Sequence, residues 1–306
     1  MRNIVPTLNH VTDKIRVNFF PWTFIFGLGR SFIGLGLFIA LFFNKSEYLF
    51  LKTSDTETLA KDTVLSIFSY LPQDYLYFDI FRLFFSLIAF LIVIGWQPRI
   101  TAILHVYIAY CLNSSGVTVD GGEQVNFIMS ILMLPILLFD RRKWHWSSEH
   151  FNVSEKSRVI SFVAYMFIRI QVAILYFHSF VGKLANEEWI DGTAVYYYLN
   201  DPMLGTPKLL DFIIQPILKS DFVPFITWGS LLIQLLLVCG LFMEKKYWKY
   251  LFVFALLFHE TIAILLGLFS FSFVMTGVLI LYLVPLETKP QFKLIKNEKG
   301  ELKHEN

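Results

Sequence analysis

The chain has 306 residues, of which 56% are hydrophobic and only 16% are charged. Soluble globular proteins carry about a quarter charged residues, and a chain of this length could not bury so much apolar surface without lipid around it. The net charge of +2 and the lack of a basic-aromatic motif give no indication of nucleic-acid binding. We therefore expect an all-α, polytopic membrane protein.

Eight apolar segments are predicted to form membrane-spanning helices. They cover residues 22–44, 76–96, 100–112, 124–139, 159–184, 222–242, 247–267 and 269–285. The third and fourth are short for the ~20 residues that a crossing needs. The chain is thus divided into an N-terminal amphipathic or interfacial segment (1–21), a transmembrane domain (22–286) and a basic tail (287–306).

Every second loop between these spans is rich in lysine and arginine, and the loops between those are poor in both. They are concentrated before the first span, in the loop 140–158, around 245–249 and in the tail. By contrast, residues 111–123 contain none, and residues 185–221 contain Lys208 and Lys219 against six acidic residues. The positive-inside rule then predicts that both termini are cytoplasmic, as an even number of spans also requires.

Ionisable residues inside the predicted spans are candidates for function, because they are costly in lipid unless paired or hydrated. Arg169, Tyr176 and Lys183 recur every seven residues on one face of the fifth span, and Gln171 and His178 form a second stripe. Most of the candidates fall in the outer half of the predicted spans. These are Asp79, Arg82, Glu123, Lys183, His259 and Glu260.

Several of these residues also have a purely structural interpretation. Asp79 and Arg82, three residues apart, could neutralise each other. Arg30 and Arg169 are interpreted either as internal counter-ions or as contacts for an anionic lipid headgroup. Lys183 taken alone is expected to snorkel to the membrane surface. His105 alone on its helix is expected to be a hydrogen-bonded packing residue.

A resemblance changes the interpretation of Lys183. The stretch 176–192, YFHSFVGKLANEEWIDG, resembles the signature of the vitamin K-dependent γ-glutamyl carboxylases and their bacterial relatives, the HTTM membrane domains. The pair Phe258-His259 with the apolar turn 265–270, and the sequence Asp-Gly-Gly-Glu at 120–123, are similar to two further segments of that family. The order of all three is kept over roughly residues 15–285.

Within that family the chain most resembles the SdpB-like membrane proteins of sporulation-delaying toxin systems. The resemblance lies in the entry Asn-Phe-Phe-Pro-Trp-Thr at 18–23, the step Gly-Arg-Ser at 29–31, and an end soon after the eighth span. It implies a bacterial plasma membrane protein that matures an exported antimicrobial peptide toxin together with an SdpA-like partner protein.

The carboxylase motif implies chemistry as well as location. Lys183 matches the lysine that deprotonates a reduced quinone, here menaquinol, whose reaction with O2 produces a stronger base that takes a proton from the peptide. Desolvation of a lysine favours its neutral, basic form. The resemblance implies catalytic roles for Lys183, His259 and Glu123, and quinone contacts for Tyr176, His178, Glu260 and Trp189. No metal site is expected.

The chain also departs from the carboxylase pattern. Glu123-Gln124 stands where the carboxylases carry Asn-His, one extra residue separates Lys183 from Trp189, and the large extramembrane domain that grips the peptide has no counterpart. Carboxylation itself therefore stays open, with peptide cleavage or another α-carbon reaction as alternatives. A non-enzymatic scaffold or export platform is a second hypothesis. A quinone-coupled thiol oxidase is a third, which the wide separation of Cys111 and Cys239 disfavours.

Overall fold

The computed structural model describes residues 19–50, 59, 63–117, 121–147, 151–202 and 204–288. The described part of the chain is helical and contains no β-strand, which confirms the all-α prediction. The helices are α1 (Phe24–Phe43), α2 (Ser46–Leu49), α3 (Tyr75–Val93), α4 (Pro98–Ser115), α5 (Gly122–Leu137), α6 (Glu155–Leu184), α7 (Glu187–Ile190), α8 (Ala194–Leu199), α9 (Asp211–Leu218), α10 (Val223–Cys239), α11 (Lys245–Leu266) and α12 (Phe269–Leu283). Two 3-10 turns lie at Ile67–Tyr70 and Lys208–Leu210.

Each of the eight predicted apolar segments forms a helix, and local sequence signals explain where several begin. The side chains of Thr23, Asp74 and Ser154 accept hydrogen bonds from free backbone N–H groups at the starts of α1, α3 and α6. Pro98 occupies the first turn of α4, where its missing N–H costs nothing, so α4 begins before the predicted residue 100. The long α6 likewise begins earlier than the predicted residue 159.

Four helices, α1, α3, α6 and α11, are long and apolar enough to cross a membrane. A fifth crossing results if the helical segment Lys208–Leu218 and α10, which meet at a bend of 101°, form one broken span. The apolar helices α5 and α12 have 16 and 15 residues. Length and composition in the described residues thus support four or five crossings. The prediction of eight, and the side on which the termini lie, go beyond these criteria.

The outer surface of α6 carries a continuous apolar stripe. Its exposed residues are spaced three or four apart and therefore share one helix face: Ile160, Val163, Phe167, Ile170, Ile174, Phe177 and Val181. Water would disfavour so long an exposed apolar row, whereas lipid accommodates it. Together with the four long apolar helices, this stripe indicates a membrane protein.

Helix α1 packs between α12 on one side and α3 on the other. Its contact with α12 is close because Gly36 has no side chain: a Cβ there would come within 2.4 Å of Cγ2 of Val274 and 2.6 Å of the Ser270 carbonyl oxygen. One apolar core joins α1 to α5, α6 and α12, and a second joins it to α3 and α4. This close contact sets which face of α12 packs against α1.

Several sequence predictions fall where the structure gives no description. Most of the N-terminal segment 1–21 and of the tail 287–306 lies outside the described residues, as does Asp120 of the Asp-Gly-Gly-Glu motif. The predicted domain limits at residues 21 and 287 therefore remain predictions.

Candidate functional site

A buried tyrosine–histidine pair joins α6 to α11. The Tyr176 hydroxyl and Nε2 of His259 are 2.9 Å apart, and the two residues are 2% and 3% exposed. Phe258 and Phe271 make edge contacts with the imidazole ring. Nδ1 of His259 is buried and has no hydrogen-bond partner among the described residues. If Tyr176 donates to Nε2, Nδ1 carries the proton and remains a donor for a further acceptor.

Lys183 lies at the end of α6, two turns after Tyr176, and is half-buried. Its Nζ donates a hydrogen bond of 2.7 Å to Oγ of Ser179 and lies 5.2 Å from the ring centroid of Trp189. Tyr176, the partner of His259, lies seven residues before Lys183 and therefore on the same face of α6. The structure thus brings Lys183, Trp189, Tyr176 and His259 into one group.

The short helices after α6 hold Trp189 in this position. Trp189 is 8% exposed and packs in a small apolar cluster with Phe180 of α6 and Leu231 of α10. The Thr227 side chain of α10 donates a hydrogen bond of 2.8 Å to the Gly192 carbonyl, which anchors the loop that carries Trp189. A lysine beside a fixed indole ring keeps a defined position, because the ring's π-face attracts the cation. The Gly-Lys-Leu and Trp-Ile-Asp-Gly parts of the motif therefore meet in space.

Glu260 follows His259 in the chain but turns toward α12. Its Oε1 accepts hydrogen bonds from the hydroxyls of Ser272 at 3.0 Å and Thr276 at 3.3 Å. This carboxylate therefore connects α11 to α12. His178 lies on the exposed face of α6, whereas Tyr176 is buried. The structure does not bring the side chain of His178 to the Tyr176–His259 pair.

Glu123 lies in a second place, at the start of α5. It lines a cavity with Gly36 of α1, Asn126 of α5 and Ser270 and Val274 of α12, with room for about one water molecule. Ser270 and Val274 lie on the opposite face of α12 from the Ser272 and Thr276 that bind Glu260. Helix α12 therefore stands between Glu123 and the carboxylate of Glu260.

A third polar cluster was not among the predicted site residues and surrounds His145, in the loop between α5 and α6. Its Nδ1 lies 3.3 Å from Nη1 of the fully buried Arg30, and its Nε2 lies 3.2 Å from the Ser31 hydroxyl. Nη2 of Arg30 donates a hydrogen bond of 2.7 Å to the Thr101 hydroxyl. Burial, with the positive charges of Arg30 and Arg142, lowers the pKa of His145 to about 2.

The backbone around His145 requires glycine at position 95. Gly95 has a φ of +78°, and a Cβ there would lie 2.1 Å from Cδ2 of the imidazole. The His145 N–H donates to the Gly95 carbonyl at 3.0 Å, and the Gln97 N–H donates to the Lys143 carbonyl at 2.7 Å. Helical periodicity could not have identified this cluster, because His145 lies in a loop. The close approach of Gly95 becomes visible only in the structure.

Two of the structural interpretations are confirmed. Nε of Arg82 and Oδ1 of Asp79 are 2.9 Å apart, so these residues form an ion pair with each other. His105 is buried and its Nε2 lies 2.8 Å from Oδ1 of Asn126, as expected of a hydrogen-bonded packing residue. Cys111 is buried, Cys239 is exposed, and both thiols are free. Among the described residues no group of three His, Cys, Asp or Glu side chains could hold a metal ion.

Comparison with known proteins gives two relatives from Bacillus subtilis. The chain is 42% identical over 291 residues to the uncharacterized protein YitO, covering 92% of this chain and 94% of YitO. It is 34% identical over 268 residues to the sporulation-delaying protein SdpB, covering 87% of this chain and 83% of SdpB. The chain belongs to the SdpB family. The resemblance to SdpB-like proteins is thereby confirmed.

The comparisons show membership of the SdpB family and do not test the relation to the carboxylases. No family model matches the chain, and no solved structure matches it. The relation to the vitamin K-dependent carboxylases and HTTM domains therefore rests on the motifs at 120–123, 176–192 and 258–270. The motifs at 176–192 and 258–270 meet in the group around Lys183, where Tyr176 pairs with His259.

Proposed function

We propose that this protein takes part in maturing an exported peptide toxin at the outer face of a bacterial plasma membrane, together with an SdpA-like partner protein. The observation that supports it most is the 34% identity to the sporulation-delaying protein SdpB over 87% of the chain. The apolar helices α1, α3, α6 and α11 agree with action at a membrane.

The proposal includes eight crossings with both termini in the cytoplasm. Its support is the alternation of Lys and Arg between successive loops and the presence of a helix at each of the eight predicted segments. The short helices α5 and α12 would cross within the protein interior, where neighbouring helices shield their ends from lipid. In this orientation Lys183 and Trp189 lie at the outer face and His145 lies at the inner face.

The proposed chemistry assigns the initiating base to Lys183. In its neutral form, its Nζ accepts a proton from a weakly acidic group while the hydrogen bond to Ser179 holds the amine in place, and the π-face of Trp189 then stabilises the ammonium that forms. A reduced menaquinone bound there would supply that acidic group and the reducing equivalents for strong-base chemistry with O2 at a peptide α-carbon. His259, fixed by Tyr176, would donate from Nδ1 to an oxygen that gains negative charge.

The side chains around Lys183 and His259 offer the hydrogen-bond donor and the apolar rings that a quinone would need. The small size of the neighbouring cavities limits the directions from which a quinone would approach. His259 offers a buried donor without a partner among the described residues, and Tyr176, Phe258 and Phe271 offer apolar rings. The cavities beside Glu123 and Gln171 each have room for about one water molecule. A quinone ring would therefore approach Lys183 from the lipid side. Glu123, in the small cavity beside Ser270 and Val274, would act on the peptide or the partner protein.

One observation favours a non-enzymatic scaffold as a second candidate. Glu260 binds Ser272 and Thr276, and His105 binds Asn126, so part of the intramembrane polar set is occupied in holding helices together. A scaffold or export platform for the toxin precursor needs no more than that. The quinone-coupled thiol oxidase has no comparable support, because Cys111 is buried and Cys239 is exposed at the end of a different helix.

The deciding experiment is mass spectrometry of the secreted peptide from cells that carry wild type or Lys183→Met. Methionine keeps most of the apolar stem and removes the amine. Lys208→Met is the matched control, because Lys208 is exposed at the start of the 3-10 turn that precedes α9. We expect mature peptide to disappear with Lys183→Met only, at equal membrane levels of all three proteins. The mass of the accumulated precursor would identify the missing reaction.

The opposite result is equally informative. Unchanged maturation with Lys183→Met would refute the base and leave the scaffold. Loss of maturation on replacing both cysteines, with Lys183→Met active, would indicate thiol chemistry.

A further inference from the structure

Arg169 lies between two aromatic rings on the side of the protein where α11 begins and α12 ends. Its guanidinium carbon is 4.2 Å from the ring centroid of Trp248 and 5.6 Å from that of Tyr282. Trp248 is in the first turn of α11, and Tyr282 is the penultimate residue of α12. Arg169 therefore lies level with the first turn of α11 and the last turn of α12.

One edge of this guanidinium meets no acceptor in the described part of the chain. Nε and Nη2 of Arg169 are both buried and lack a hydrogen-bond partner among the described residues. These two nitrogens form the edge with which arginine binds an oxyanion through two parallel hydrogen bonds. Buried donors are nearly always paired, because leaving one unpaired costs about 1–3 kcal/mol.

The same chain shows what normally fills such an edge. In Arg142, Nε and Nη2 donate to the two carboxylate oxygens of Asp140, at 2.9 Å and 2.8 Å, in a buried pair. No carboxylate among the described residues does this for Arg169. Two oxygens of one anionic group are therefore the chemical complement of the Arg169 edge.

The charges around Arg169 favour an anion. Nζ of Lys245 lies 5.9 Å from the ring centroid of Trp248. Nζ of Lys246 lies 2.7 Å from Oε2 of Glu244, so these two charges neutralise each other. The exposed Glu287 lies near Tyr165, which is one turn of α6 before Arg169. Arginine, lysine and tryptophan together at the end of membrane helices form the kind of basic pocket that binds acidic lipid headgroups.

We propose that the Nε–Nη2 edge of Arg169, stacked on Trp248 and assisted by Lys245, binds the phosphate of an acidic phospholipid in the leaflet next to the start of α11. Arg169 is half-buried as a residue while Nε and Nη2 are covered by their neighbours, so a phosphate reaches this edge when the guanidinium turns toward the exposed side of the bundle. The site lies on the same helix as Lys183, about four turns before it, and is independent of the proposed function.

The test measures the thermal unfolding of the purified full chain in neutral detergent, titrated with phosphatidylglycerol or phosphatidylcholine. We expect phosphatidylglycerol to raise the unfolding temperature of wild type at a lower mole fraction than phosphatidylcholine. Arg169→Gln should weaken this response about tenfold or more, because hydrogen bonds to a charged group are lost. Lys246→Gln is the control and should respond as wild type, since Lys246 already has a carboxylate partner.

Further arms separate the lipid from a free anion and from a folding defect. An equal rise with inorganic phosphate alone would overturn the assignment to a lipid. If Arg169→Gln does not fold, Arg169→Lys, which keeps the charge but lacks the two-donor edge, should show the weaker response. An unchanged phosphatidylglycerol response in Arg169→Lys or in a folded Arg169→Gln would refute the site.

Discussion

Acid should destabilise this protein through His145, and the size of the effect follows from its surroundings. His145 is 1% exposed, and burial beside Arg30 and Arg142 lowers its pKa from 6.5 to about 2. The imidazole is therefore neutral in the folded protein at pH 7. A proton on it would be buried against the guanidinium of Arg30, whose Nη1 is 3.3 Å away.

The pH range follows from the two pKa values. In the unfolded chain His145 titrates near pH 6.5, so between pH 6.5 and about 2 the unfolded state holds one more proton than the folded state. The free energy of unfolding is highest above pH 6.5 and falls by about 1.4 kcal/mol for each pH unit below it. At pH 4.5 the contribution of this residue is a loss of roughly 2.7 kcal/mol.

The assay compares the thermal unfolding of wild type and His145→Gln in detergent at several pH values between about 7.5 and 4.5. Glutamine keeps polar atoms at this position and cannot titrate, so the difference between the two slopes isolates His145 from the other ionisable groups. We expect wild type to lose about 1.4 kcal/mol per pH unit more than the variant. His178→Gln, which replaces an exposed imidazole on α6, should keep the wild-type slope. Equal slopes for wild type and His145→Gln would refute the reasoning.

Three further predictions use substitutions of one or a few atoms. Gly36→Ala should lower the free energy of unfolding by about 1–3 kcal/mol, because its Cβ would overlap α12. Gly229→Ala, whose Cβ would meet no described atom within 4 Å, should raise the free energy of unfolding by up to about 1 kcal/mol. Similar thermal shifts for the two variants would contradict this packing. Gly182→Ala also meets nothing within 4 Å and should unfold no earlier than wild type in the same assay, so any loss of peptide maturation in this variant would show that substrate approaches residue 182. Tyr176→Phe should cost about 1–3 kcal/mol, because its buried histidine partner loses a hydrogen bond, while the exposed Tyr197→Phe should be neutral in the same unfolding measurement.

The helical segments were predictable because their signals are local. Apolar runs, Pro98 in the first turn of α4 and the capping side chain of Thr23 act within a few residues of where they stand. The pairing of Asp79 with Arg82 was predictable for the same reason, since residues three apart on a helix are neighbours. The number of crossings is less local, because a 15- or 16-residue helix such as α12 or α5 crosses only where other helices cover its ends.

Spacing along the sequence predicted only some of the residues that meet at the candidate site. Seven-residue spacing placed Tyr176 and Lys183 on one face of a helix, and the structure adds that His259 and Trp189 meet that face. The same spacing rules could not place Glu123 and Glu260 on opposite faces of α12. The sequence predicts a similar depth in the membrane for Glu123 and Glu260. Which face of α12 each of them meets depends on how that helix is rotated about its axis.

The sequence by itself determined that the chain is helical, rich enough in apolar surface to require lipid, and marked by a lysine motif at 176–192. Each of these depends on composition or on neighbours along the chain. Only the tertiary structure decided that α12 stands between Glu123 and Glu260, that a loop histidine is buried on Arg30, and that among the described residues one edge of Arg169 meets no acceptor. Those facts depend on helix rotation and loop path, which are set by packing between residues distant in sequence.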